Sequence, residues 1–134
     1  MSSSHERRLT LRVLPDALAI CRLAAAEPPP AWLFHDGPRF FSLTRTPNET
    51  SVVCAEEDVP PSIARVERGW RALAVDGPLP LEATGILASL ATPLAAAGIP
   101  VFVISTHDTD YLLVRAADLS RAIAVLRELF TVTP

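Results

Sequence analysis

Two short stretches of this 134-residue chain carry groups that could do chemistry. The first, Glu82-Ala83-Thr84-Gly85, stands just before a run of apolar residues at helical spacing. A glycine at a helix start lets another molecule approach the backbone, and the unpaired N–H groups there suit a carboxylate. The second is Thr106-His107-Asp108-Thr109-Asp110. Asp108 and Asp110 can accept hydrogen bonds from an ammonium group or a cationic side chain, with the Thr106 hydroxyl beside them. Brought together, the two stretches would read both ends of a zwitterion. Each residue also has a plainer use: Thr84 is placed to cap the helix, Glu82 suits its positive end, and Asp108 suits a turn.

Other chemistries find little support. Glu82 could be a general base, but no partner acid or oxyanion donor accompanies it. All twelve basic residues are arginine, so no lysine is available for a Schiff base or a phosphate-binding loop. Cys21 and Cys54 fall on apolar, strand-like segments, where thiols serve as small apolar groups, and no histidine base is placed near either. His107 and its two aspartates rarely converge on one ion from so tight a turn, and His5 and His35 have no matching spacing. Neither a metal nor a cofactor is expected, and the chain does not read as an enzyme. A net charge of −3 gives no concentrated positive field for nucleic acid.

The elements that must position these residues follow from periodicity. Leu9, Leu11 and Val13 alternate with polar neighbours as a strand, and after the Pro15-Asp16 turn Leu18 to Leu23 can return as a second one. Glu27-Pro28-Pro29-Pro30 is a stiff connector into Ala31–Phe34, read as one helical turn. Asp36-Gly37-Pro38 is a turn, and Phe40–Thr44 and Thr50–Cys54 are strands. Arg68–Val75 is a strand ending at Asp76-Gly77-Pro78. Ile86, Leu87, Leu90 and Leu94 keep helical spacing, with Gly98 just past the end. Ile99–Ile104 reads as a strand buried on both faces, and Tyr111–Arg115 as another strand. Leu119, Ile123, Leu126 and Phe130 mark an amphipathic helix opened by Asp118, and Thr131–Thr133 a last short strand.

The second half is therefore strand, helix, strand, strand, helix, strand: the βαββαβ order of the α+β ferredoxin-like fold. The uncharged run from Ala83 to Thr106 is long enough for a bilayer, but Pro93, Gly98 and Pro100 break it, so no membrane span is expected. The polar N-terminus lacks the apolar core of a signal peptide, which points to the cytoplasm.

Three blocks make the chain recognisable: Thr84 to Leu90, Leu94 to Phe102, and Ser105 to Val114. They resemble an ACT domain, of the kind found in small bacterial proteins similar to the CASTOR amino-acid sensors. Phe41 to Pro47, Ser51 to Cys54 and Glu67 to Trp70 resemble that group's first half. The resemblance implies a degenerate, β-rich ACT-like half over 1–66 and an ACT domain over 67–134. It also implies a non-catalytic regulatory protein that binds a small effector, an amino acid, between modules. Carried onto this chain, the ligand-binding positions are Thr84, Gly85, Ile86, Pro100, Val101, Thr106, His107 and Asp110, with Glu82 and Asp108 in support. His107 stands where the family commonly has tyrosine. CASTOR-like sensors carry four modules and this chain has room for two, so a homodimer is expected, with a separate protein partner receiving the signal. The rival expectation is an ACT-fold protein–protein interaction module without a ligand.

Overall fold

The computed structural model describes residues 9–34 and 39–134. His5, His35, the N-terminal segment and the Asp36-Gly37-Pro38 turn lie outside the described residues. Among the described residues eight strands and two helices follow one another: β1 (Thr10–Val13), β2 (Leu18–Leu23), β3 (Phe41–Arg45), β4 (Thr50–Ala55), β5 (Val66–Val75), α1 (Ile86–Ala96), β6 (Phe102–Ser105), β7 (Asp110–Arg115), α2 (Leu119–Arg127) and β8 (Thr131–Thr133). The contacts divide the chain into two compact units, one of Asp16–Trp70 and one of the chain up to Pro15 together with Arg71–Pro134. The strand β5 starts in the first and ends in the second.

The first unit is an antiparallel sheet in the order β3-β4-β2-β5. One face of it buries Ala19, Cys21, Leu23, Val52 and Cys54 with Leu33 and Val59, and half-buried Trp32 and Phe41 pack against this cluster. Leu33 arrives there on a single 3-10 turn, Ala31–Leu33, directly after the three prolines. The rings of Phe34 and Phe41 meet edge to face at a centroid distance of 5.3 Å.

In the second unit β6 pairs with β7, β7 with β5, β5 with β1 and β1 with β8. Both helices lie over one face. Leu90 and Leu94 of α1 and Ala122 and Leu126 of α2 bury against Leu11, Leu73, Val75, Leu112, Val114 and Val132. The order β5-α1-β6-β7-α2-β8 is the βαββαβ order read from the sequence, and the class is α+β.

Four details differ from the sequence reading. First, β1 does not form a hairpin with β2: Leu11 aligns with Val75 of β5 and with Val132 of β8, the latter in parallel. The core of the second unit thus takes in Leu11. Second, Thr84 is exposed, and the cap position of α1 is Gly85, at φ +81° and with no side-chain cap. Only glycine adopts that backbone readily. Third, Asp118 opens α2 as read from the sequence, but with no side-chain cap bond and at the end of a 3-10 turn, Ala116–Asp118. Fourth, the Ile99–Ile104 run is not a strand buried on both faces: Ile99 is buried, Pro100 is exposed, and β6 begins at Phe102 with half-buried residues. Among the described residues β6 pairs only with β7, so it is an outer strand. An apolar run alone does not distinguish a central strand from an edge.

The end of α1 follows the sequence reading. Gly98 has φ +74°, its N–H donates to Ala95 at 2.9 Å, and that of Ile99 donates to Leu94 at 2.9 Å. These are the paired bonds of a Schellman cap.

Candidate functional site

Within the second unit a cavity of about 290 Å³ opens between the β5–α1 loop, the first turn of α1 and the β6–β7 turn. That is near the small end of the range for ligand pockets. Leu79, Pro80, Leu81, Ala83, Ile86 and Leu87 make one wall apolar, and Ser105 through Asp110 make the opposite wall polar.

The polar wall is built by a tight hairpin. Ser105 and Asp110 are opposite each other in the β6–β7 register, and the serine hydroxyl donates to Asp110 Oδ1 at 2.6 Å. The Thr106 N–H and hydroxyl donate to the carbonyl of Thr109 at 2.8 and 3.1 Å. His107 Nδ1 lies 2.9 Å from Asp108 Oδ1, with both side chains largely in solvent. At the foot of the other wall Gly85 opens α1, whose first N–H groups have no partner within the helix. The pocket thus sets a positive helix end against two carboxylates, and no arginine stands among its lining residues.

Of the positions singled out from the sequence, Gly85, Ile86, Thr106, His107, Asp108 and Asp110 line this cavity. Thr84 and Glu82 are exposed on the same loop but outside the lining. Pro100 and Val101 are also outside it: Pro100 is exposed, and half-buried Val101 packs on the helix-covered core. Sequence reasoning missed Leu79, Pro80, Leu81, Ser105 and Thr109. Ser105 was legible as the residue facing Asp110 across a hairpin, whereas nothing periodic announces the Leu79–Leu81 wall.

The other titratable pair lies apart, in the first unit. Cys21 and Cys54 are free, buried, and hydrogen-bonded thiol to thiol. That bond, and burial after it, push the Cys54 thiol well above its ordinary range, while the same bond draws Cys21 down. Among the described residues no group of three or more His, Cys, Asp or Glu could hold a metal ion, and no helix is long and apolar enough to cross a membrane.

A βαββαβ module with two helices on one face, and a small pocket where the first loop meets the central hairpin, has the ferredoxin-like architecture. Residues 65–128 match the ACT-domain family, and residues 16–62 match a family of N-terminal domains. The chain is an ACT-domain protein, and it resembles the CASTOR sensors. It is 36% identical over 104 residues to the human cytosolic arginine sensor for mTORC1 subunit 1, a match that covers 70% of this chain and 32% of that protein. It is 34% identical over 106 residues to human CASTOR3P, covering 70% of this chain and 65% of the other. The chain therefore spans about a third of the length of the arginine sensors it matches. Among solved structures, protein Atu0741 of Agrobacterium tumefaciens is 39% identical, with a TM-score of 0.85 over 96% of this chain and 94% of that one. The regulatory subunit of aspartate kinase from Thermus thermophilus shares the fold at 10% identity, with a TM-score of 0.62 over 92% of this chain and 99% of the other.

Proposed function

We propose that this protein is a non-catalytic, cytoplasmic amino-acid sensor whose ligand sits in the pocket between Gly85 and the Thr106–Asp110 turn. The observation that carries this reading is the polarity of the pocket. An α-carboxylate would meet the free N–H groups of the first turn of α1, and an ammonium or cationic side chain would meet Asp110 and Asp108. The absence of arginine from the lining favours a cationic amino acid over an acidic one. The relatives named as arginine sensors support the same class.

A second copy of the chain completes the site in this reading. Helix α1 carries no charged residue, and β6 has an open edge among the described residues, so this side of the module suits a homodimer. Ligand binding would favour one packing of that dimer, and a separate protein would read the change. Glu82, Pro100 and Val101, outside the cavity of one copy, would act at that interface.

The second reading is an interaction module without a ligand. It is favoured by the prior engagement of both carboxylates, Asp110 by Ser105 and Asp108 by His107.

Thermal unfolding with each of the twenty amino acids, alongside a solution mass, separates the two. A ligand at 100 times its Kd adds about 2.7 kcal/mol, which is several degrees for a domain of this size. A selective shift in a dimer supports the sensor. No shift with any amino acid favours the interaction module.

A further inference from the structure

The loop and the turn that form the two walls are tied together at one corner. The Thr109 hydroxyl donates to the carbonyl of Val75, the last residue of β5, at 2.5 Å. One residue earlier on the turn, the Asp108 carbonyl accepts the Leu79 N–H at 2.6 Å. Between these bonds the loop passes so close that a Cβ on Gly77 would stand 2.9 Å from the Asp108 carbonyl oxygen and 3.1 Å from Thr109 Cβ. Thr109 is itself fixed on the hairpin, its N–H donating to Thr106 Oγ1 at 3.3 Å. Beyond the tie, the Ala83 N–H folds back on Pro80, and Leu81 stands 71% exposed at the rim.

We propose that Thr109 is the positioning residue of the pocket. Its hydroxyl sets the separation between the apolar wall at Leu79–Leu81 and the polar wall at Thr106–Asp110. The inference rests on the reading of this cavity as an amino-acid site. It follows from where the bonds fall. The cavity is lined by two segments from different parts of the chain, so its shape depends on how they are held together, and the Thr109 side chain fastens one to the other. A pocket held in its binding geometry spends less of its interaction energy on ordering the walls. Gly77 serves the same contact sterically, since only a residue without a Cβ allows the loop so close to the turn.

The test compares Thr109→Val, which keeps the shape and removes the hydroxyl, with Thr109→Ser, which keeps the hydroxyl. Val114→Ala, a core change away from the cavity, is the control for general destabilisation. Each protein is titrated calorimetrically with L-arginine and then with the other nineteen amino acids, and amide exchange is followed at Leu79. The expected result is an affinity loss of about tenfold in Thr109→Val, with faster Leu79 exchange. Thr109→Ser should stay within about twofold of the parent, and Val114→Ala should lower the Tm while keeping the affinity. Parent-like affinity in Thr109→Val, or an equal loss in Val114→Ala, overturns the positioning role while leaving the site in place. A parent that binds none of the twenty overturns the site reading itself, and the inference with it.

Discussion

Ser105 and Asp110 face each other at the mouth of the β6–β7 hairpin, and the serine hydroxyl holds one carboxylate oxygen of the aspartate at 2.6 Å. The bond fixes the side chain of Asp110 on the pocket wall. A carboxylate has two oxygens and about four acceptor sites, so one short bond leaves it able to receive a ligand's ammonium or guanidinium.

Asp110→Asn should separate the charge from the scaffold. The amide oxygen can still accept from Ser105, so stability should fall by about 1 kcal/mol or less. Binding of L-arginine should weaken about tenfold, because a charge-assisted bond becomes a neutral one. The parent affinity should also decline with added salt more steeply than that of the variant. Calorimetry at two ionic strengths reads both effects, and equal affinities for parent and variant would remove Asp110 from the site.

Gly85 leads to a different kind of prediction. Its φ of +81° disfavours any residue with a Cβ, yet a Cβ there would meet no atom within 4 Å. The cost of Gly85→Ala is therefore backbone strain without collision, about 1–2 kcal/mol. Thermal unfolding should register it as a Tm drop of a few degrees. An unchanged Tm would mean that the loop before α1 relaxes out of the left-handed conformation, and would weaken the case for a preformed helix end.

Much of this architecture was legible because periodicity reports faces. Leu11 and Val13 alternate toward one side, and Leu90 and Leu94 fall on one stripe of α1; both patterns survive in the core. Periodicity does not report neighbours. Nothing around β1 announces that Leu11 will lie beside Val75 and Val132, instead of returning against β2. The apolar run at Ile99–Ile104 misled for the same reason, since an apolar run does not tell an edge strand from a central one. At the site, Gly85 and the Thr106–Asp110 turn stood out by residue type and by family resemblance. The opposite wall did not, because Leu79 is placed by a backbone bond to Asp108, and a backbone bond has no residue signature.

The thiol pair predicts a pH dependence that is independent of any ligand. Cys54 is held protonated by its bond to Cys21 and by burial, so its folded-state value lies above its unfolded one. A raised value contributes stability that is present below the unfolded thiol range, about 8.5, and is lost as the pH climbs above it. There the unfolded chain releases a proton that the native chain keeps, so the slope is negative, at most about 1.4 kcal/mol per pH unit for one proton. The same bond draws Cys21 the other way, so the decline belongs to the range above the ordinary thiol value, and urea unfolding between pH 9 and 11 should show it. The double variant Cys21→Ala with Cys54→Ala should start less stable, since Cys21 and Cys54 belong to the buried cluster, and should lose stability less steeply with pH. Parallel slopes for the two proteins would show that the thiols ionise alike in the folded and unfolded chain.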